Sequence, residues 1–394
     1  VPRVFLSGAD VVLADRVASN CTVVLEHDRI IDVLQGPHAA GSSDDSRFDL
    51  SGRIIVPGFV DVHVHGVLGV DVMDDAEAVR TVARRLPRFG VTAFCPTSVA
   101  SSPERLQAFL DAVGEARMAP EPGAARVLPA HLESPFINPD YRGAQPLDWL
   151  STYEKTVGRL FGAKSLPTAF LGPDVGILTM APEIPGGMDL LRDARQAGIR
   201  VSLGHSGATY DQAMAAIDAG ACHATHLFNR MPPMTHRHPG LVGAVLEREE
   251  VAAEIIGDGF HVHPSVVRTT VAAKGPSRVM AITDGTAGAG LPHGACATLG
   301  GRRITVRETA QLDDGTLAGS VVTMDRVFAM LVTQAGQSLI DAAALCSTTP
   351  ARELRLASQG TIAVGQLADL VVLSSSLKVE HTWIAGRKTG VPER

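Results

Sequence analysis

Between Gly58 and Asp284 one pattern recurs eight times: a short apolar run, followed in most cases by an amphipathic stretch of helical spacing. The runs are Gly58–His65, Val91–Thr97, Arg126–Glu133, Gly176–Met180, Arg200–His205, Ala221–His226, Ala253–Asp258 and Val279–Asp284. Helical patterns fall at Ala76–Phe89, Pro103–Ala116, Met188–Ala197, Tyr210–Ala219 and Pro264–Lys274. Runs this short and apolar read as buried strands. Strands linked through helices pair in parallel, because the helix carries the chain back to the starting edge. Eight such units over roughly 230 residues predict an α/β fold, a (β/α)8 TIM-like barrel. A doubly wound open sheet is the rival, but no G-x-G-x-x-G opens a helix here.

The two ends follow another rhythm. Ala9–Leu13, Thr22–Glu26 and Arg29–Val33 are short alternating segments divided by turn residues, and the polar loop Gly41–Ser46 follows. Thr361–Val364, Leu370–Leu373 and Thr382–Ala385 repeat the style after Gly360. Neither end has strands enough for a stable sheet alone. Residues 1–56 and 360–394 are therefore expected to pair as a small β-sandwich domain beside a barrel spanning 57–359. The irregular piece Leu291–Gly319, with Gly300-Gly-Arg-Arg-Ile-Thr-Val306, reads as a hairpin inserted after the eighth strand.

Composition removes some classes of function. A net charge of -7, from 35 basic and 42 acidic residues, gives no basic stripe, so nucleic acid is not an expected partner. Apolar runs such as Asp369-Leu-Val-Val-Leu373 are too short to span a bilayer, so no membrane association is expected. Cys21, Cys95, Cys222, Cys296 and Cys346 are scattered, odd in number and free of any C-x-x-C. They read as free thiols in a reducing compartment, which predicts a cytoplasmic protein.

The ends of the apolar runs carry the chemistry. The first closes on Asp61-Val-His63-Val-His65-Gly66. Alternate residues of a strand share a face, so both imidazoles project together, as two ligands of one metal must. The third run ends in Glu133, the fifth in His205, the sixth in His226 and the eighth in Asp284. In a barrel these C-terminal strand ends form one rim, where groups from several strands meet. Four imidazoles and two carboxylates there make a site for one or two divalent cations.

Each residue also has a structural reading. An H-x-H pair occurs in packed strands, Glu133 suits a loop anchor, and Asp284 suits a turn cap before Gly285. Their common rim selects the functional reading. Asp61 shares the His63 face and reads as its support rather than as a ligand. His261-Val-His263 repeats the spacing, but Pro264 opens a helix at once. That pair reads as loop, with one ring available to hydrogen-bond into the site. His131 reads as a core histidine, and His223 has the wrong parity relative to His226.

Pro57-Gly-Phe-Val-Asp61-Val-His63-Val-His65-Gly66 resembles the opening of the amidohydrolase superfamily. Gly360-Thr-Ile-Ala-Val-Gly365-Gln-Leu-Ala-Asp369-Leu is similar to that superfamily's return into the small β domain. Six internal strings resemble its N-acetylglucosamine-6-phosphate deacetylases. They are His131-Leu-Glu133-Ser-Pro135-Phe, Gly204-His205-Ser206, Thr225-His226-Leu-Phe-Asn229, Asp258-Gly-Phe-His261, Thr283-Asp284-Gly-Thr286 and Leu317-Ala-Gly-Ser320-Val-Val-Thr-Met324. The likeness covers nearly the whole chain.

The resemblance implies metal-dependent removal of the acetyl group from N-acetylglucosamine 6-phosphate. By it, Glu133, His205 and His226 bind the main metal, Zn²⁺ or Fe²⁺, and Asp284 is the general base. His261 polarises the acetyl carbonyl, and Asn229 helps hold the sugar phosphate. Arg237, in Met234-Thr-His-Arg237-His-Pro-Gly240, matches an arginine that reaches the substrate of a neighbouring subunit, which implies a homodimer. An exposed basic loop is the structural reading of the same residue.

Departures bear on these roles. Glu133-Ser134-Pro135 and Gly143-Ala144-Gln145 stand where relatives often have Glu-Gly-Pro and Gly-Ala-His, and Gly285 where Ala is commoner. Gln145 can hydrogen-bond a sugar hydroxyl but carries no charge. With His63 and His65 both present, a two-metal site bridged by Glu133 is expected. Cyclic amidases on this scaffold bridge two metals with a carbamylated lysine, but only Lys155 and Lys164 lie between strands three and five, in a helical or loop stretch. Purine deaminases share parts of the ligand set, whereas Asn229 and Arg237 favour a phosphorylated sugar. A metal-binding relative without catalysis would have no need of an ionisable Asp284 beside a full ligand set.

Overall fold

A computed structural model describes residues 2–38, 42–133, 135–153 and 171–389. Eight parallel strands form the barrel in chain order: Phe59–Val64, Val91–Ser98, Ala130–Glu133, Val175–Met180, Arg200–Leu203, His223–Ala224, Ala252–Ile256 and Val279–Ile282. Each falls within or across a run expected from the sequence. The third run is broken in two. Arg126–Val127 pairs with the second strand, then Pro129, which has no N–H to give a ladder, separates it from Ala130–Glu133.

The circle closes between the first and eighth strands by specific bonds rather than a long ladder. The Gly285 carbonyl accepts from the N–H groups of His65 and Gly66 at 2.8 and 2.9 Å. Beneath it, the Thr283 hydroxyl donates to Asp61 Oδ2 at 2.6 Å. Asp61 is thus the clasp of the barrel as well as the neighbour of His63, whose N–H lies 3.4 Å from Oδ1. Burial pushes its carboxyl up to about 7 despite those bonds.

Regular strand stops earlier than expected at three rim positions, at Leu203, Ala224 and Ile282. Two residues further on, His205, His226 and Asp284 take left-handed φ values of 48°, 30° and 47°. Few non-glycine residues adopt that region, and it is concentrated where function demands it. Here the turn ends each ladder and swings the side chain over the barrel mouth.

Helices surround the barrel, including Ala78–Arg85, Pro103–Met118, Gly187–Gln196, Tyr210–Asp218 and Pro264–Lys274. Thr209 begins one of them with a reciprocal capping box to Gln212. Helix Gly240–Glu247 was not expected. Its glycine start and valine content hide the helical period. In the core, Phe59 stacks on Phe328 with ring centroids 5.3 Å apart, each burial stabilising by about 1.5–3 kcal/mol.

Both chain ends enter one mixed sheet. Strands Arg3–Val12, Val17–Glu26, Arg29–Gln35, Ser46–Asp49 and Ile54–Pro57 join Leu370–Leu373, Val379–Ile384 and Arg387–Lys388. The seam is the antiparallel pairing of Leu370–Leu373 with Ile54–Pro57. The sheet folds over until Gly386 lies against the His27 carbonyl, where an added Cβ would stand 1.9 Å from the oxygen. Leu6, Val23, Leu25, Ile55, Val372 and Trp383 fill its own core. Thr361–Val364 is not a strand. It lies between Gly360 and Gly365, both at positive φ, and the neighbouring backbone bonds instead to Ile30. Gly41 lies outside the described residues.

The insertion after the eighth strand is a three-stranded antiparallel sheet, Cys296–Leu299, Arg302–Val306 and Ala310–Leu312, rather than a hairpin. Its third strand has three residues, too few to show a period in sequence. Among the described residues, no helix is long and apolar enough to cross a membrane.

Candidate active site

The rim brings Glu133, His205 and His226 into mutual contact. Glu133 Oε1 lies 2.9 Å from His205 Nε2 and 3.0 Å from His226 Nε2, and those two nitrogens are 3.1 Å apart. On the other side, His63 Nε2 and His65 Nε2 are 3.3 Å apart. Glu133 reaches this pair as well, at 3.7 Å from His63 and 3.6 Å from His65. Asp284 Oδ1 completes the ring at 3.4 Å from His63 and 3.2 Å from His65. Glu133 therefore stands between two histidine pairs.

The far nitrogens determine what the near ones offer. His65 Nδ1 faces the Thr97 carbonyl at 3.1 Å and His205 Nδ1 faces the Tyr141 carbonyl at 2.8 Å. A carbonyl only accepts, so both Nδ1 atoms carry a proton, and it is Nε2 of each ring that is turned inward, where a neutral imidazole offers a lone pair to a cation. His63 Nδ1 meets Glu254 at 3.0 Å, the same arrangement with a carboxylate. Ligands on an ion at about 2.0–2.2 Å stand roughly 3 Å apart, which is the spacing seen. The side chains present fit a divalent cation.

Charge argues the same way. Burial opposes a charge on His63, yet Asp284, Glu254 and Glu133 together raise its ring to about 10. Burial likewise pushes Glu133 and Asp284 up, but the surrounding imidazoles outweigh it and hold both below the usual carboxylate range. The carboxylates favour positive charge at this spot, and a cation on neutral imidazoles would supply it in place of the proton on His63.

A cavity of about 490 Å³ opens above the cluster. His65, Glu133, His205, His226, His261 and Asp284 are in its wall, and Gln145, Asn229 and Arg230 join them from the loops. His261 Nδ1 is bonded to Asp258 Oδ2 at 2.6 Å, which steers the ring. Asn229 donates to the His226 carbonyl at 3.3 Å. Gln145 is buried, its amide oxygen accepting from Ala100 N–H at 2.7 Å and its nitrogen donating to Glu133 Oε2 at 2.5 Å. It braces Glu133 and keeps one N–H for a ligand.

A family model described as the amidohydrolase family matches residues 54–389. The chain belongs to the amidohydrolase family. It is 33% identical over 367 residues to the N-acetylglucosamine-6-phosphate deacetylase of Lysinibacillus sphaericus, with 93% of this chain and 92% of that one covered. Identity to the N-acetylgalactosamine-6-phosphate deacetylase of Escherichia coli O157:H7 is 34% over 338 residues, covering 85% and 87%. A mutant N-acetyl-D-glucosamine-6-phosphate deacetylase from Mycobacterium smegmatis, solved in complex with N-acetyl-D-glucosamine-6-phosphate, aligns with TM-score 0.87 and 30% identity over 99% of this chain and 100% of that one.

Arg237 is exposed and lines no part of the cavity. His131 is a core histidine, its ring bonded to the Val62 carbonyl at 3.0 Å and to Thr179 at 2.7 Å. His223 points elsewhere, to Glu353. His263 caps helix Pro264–Lys274, leaving its H-x-H without a second metal cluster among the described residues. Ser134, Lys155 and Lys164 lie outside the described residues.

Sequence reading passed over three charged residues. Glu254, which orients His63, is a lone carboxylate inside the apolar run Val251–Ile256, and that isolation was the available signal. Glu183 ties the rim loops together, accepting from Asn138, Ser206 and Gly207. Arg230 had no signal, being one basic residue in a loop.

Proposed function

We propose that this amidohydrolase removes the acetyl group of N-acetylglucosamine 6-phosphate, yielding glucosamine 6-phosphate and acetate. The observation that carries the reading is the set of imidazole Nε2 atoms converging on Glu133, with Asp284 beside them on the cavity wall. Glu133, His205 and His226 would hold the main cation. His63 and His65, with Glu133 bridging, would hold a second. We take Zn²⁺ as the ion, with Fe²⁺ the alternative, since the donor set is mixed N and O. When bound, it supplies Lewis acidity toward an amide at neutral pH.

The chain's own residues manage the protons. Water adds to the acetyl carbon while Asp284 takes its proton, and Asp284 returns that proton to the sugar nitrogen as the C–N bond breaks. His261, with Nδ1–H committed to Asp258, donates from Nε2 to the developing oxyanion only when the ring carries both protons. Gln145 keeps Glu133 in place, and Asn229 faces the sugar.

The domain division that accompanies this reading is a supporting sheet from 1–56 and 360–394 and a catalytic barrel from 57–359. We propose a cytoplasmic homodimer, supported by five free cysteines and by the exposure of Arg237 away from its own cavity. In that assembly the partner subunit's Arg237 would reach the phosphate.

The test is acetate release by metal-loaded protein from N-acetylglucosamine 6-phosphate, its galactosamine epimer and unphosphorylated N-acetylglucosamine. Fast release from the first alone is expected. Preference for the epimer would move the reading to the activity named for the Escherichia coli relative. No release from any of the three by metal-loaded protein would overturn it and direct the search to cyclic amides.

A further inference from the structure

Among the described residues, one cation of the cavity wall has no acid within ion-pair distance. Arg230 follows Asn229 and is half-buried, with φ 55° and its carbonyl held by the Ser206 N–H at 3.2 Å. From that turn the side chain crosses to the far wall, where Nη2 donates to the Leu317 carbonyl at 3.3 Å. The guanidinium occupies space that exists because residue 143 is glycine. A Cβ on Gly143 would stand 2.4 Å from Arg230 Nε. Side chain and notch are matched, and Gly143 is itself at φ 59°.

A guanidinium has five N–H donors. Among the described residues, Arg230 side-chain donors make one hydrogen bond, to a neutral carbonyl, and no salt bridge. Burial alone moves its pKa, downward from the usual arginine value, with no carboxylate acting against it. The guanidinium is only partly removed from water, and its spare donors lie on the cavity wall, within reach of an anion from outside the chain. A planar fork of free donors suits the oxygens of a phosphate, which it binds in bidentate fashion.

We propose that Arg230 is an anion receptor within each subunit, binding the phosphate of the substrate and setting the preference for phosphorylated over free sugar. This rests on the deacetylase reading for the identity of the ligand, though not for the presence of the anion site. Phosphate recognition is then built into each cavity, whatever Arg237 adds from a neighbour.

Calorimetry on the metal-loaded protein tests it, with glucosamine 6-phosphate, glucosamine and inorganic phosphate as probes. In Arg230→Gln the affinity ratio of phosphorylated to free sugar should fall about tenfold or more, the size of a lost charge-assisted contact. Arg230→Lys should keep part of the ratio, as a point charge without the fork. Gly143→Ala should reproduce the loss by displacing the guanidinium while leaving its charge. In kinetics on the phosphate ester the effect belongs in KM rather than kcat. An unchanged ratio and unchanged inorganic phosphate binding in Arg230→Gln would overturn the proposal. Failure of the wild type to release acetate would sink the deacetylase reading instead, while the inorganic phosphate comparison would still decide Arg230.

Discussion

Two clusters of histidine and glutamate lie on this barrel, one at its rim and one at its base. At the base, His223 Nε2 is 3.4 Å from Glu353 Oε2, and Glu353 Oε1 also takes Arg278 at 3.1 Å and Arg352 at 2.9 Å. Burial pushes that carboxyl up, but His223 and Arg352 outweigh it and hold it at about 2. The acid is neutralised by the chain itself. At the rim, Glu133 has imidazoles on both sides and no Arg or Lys salt bridge among the described residues. Its neighbours turn Nε2 atoms inward, and the cluster is one that can hold a cation. Histidine beside a carboxylate does not by itself mark chemistry. The decisive feature is whether the chain supplies the balancing charge.

The largest test of that contrast is metal removal. Chelation should abolish acetate release and lower Tm by several degrees, with recovery on adding the ion, because an ion that binds only the folded state stabilises it. A melting curve indifferent to chelator would put the rim in the same class as the base. Next is Asp284→Asn, expected to lose turnover by about 10³-fold, with bound metal measured by atomic absorption; near-native turnover would remove the general-base role. Glu254→Gln should weaken metal affinity by about 10–100-fold in a competition assay, through loss of the charge that orients His63. Unaltered affinity would make Glu254 a packing residue.

The smallest effect belongs to the base. Glu353→Gln should cost about 1–2 kcal/mol at pH 7 in denaturant titrations and leave metal content unchanged. The folded-state pKa of Glu353 is depressed, so its contribution is present above about 4.5 and disappears as pH falls toward about 2. The wild type and the variant should therefore converge in stability across that acid window. A difference that persisted at pH 2 would assign the loss to packing rather than charge.

Much of the rim was legible in sequence because ligation restricts residue type, and because a strand's period of two puts His63 and His65 on one face. Glu133, His205, His226 and Asp284 could be gathered onto one rim once eight strands were counted. Less visible were residues whose role depends on what faces them. Glu254 lies inside an apolar strand, and its role shows only in the fold, where His63 Nδ1 is 3.0 Å away. Gln145 suggested a sugar contact, and it also spans from Ala100 to Glu133. Arg230 could have been an exposed loop charge, since nothing local foretells the notch at Gly143, 87 positions earlier in the chain. Pro129 was in plain view, and its effect on the third strand follows from its missing N–H alone.

By itself the sequence determined the number and order of barrel strands, the pairing of the two chain ends and the residue types available to hold a cation. Those follow from local periodicity and from the few side chains that ligate metals. Only the tertiary structure decided which histidine nitrogen faces inward, which carboxylate is already neutralised and that the Arg230 guanidinium on the cavity wall meets no acid among the described residues. Each depends on partners tens to hundreds of residues away, and no local pattern encodes that distance.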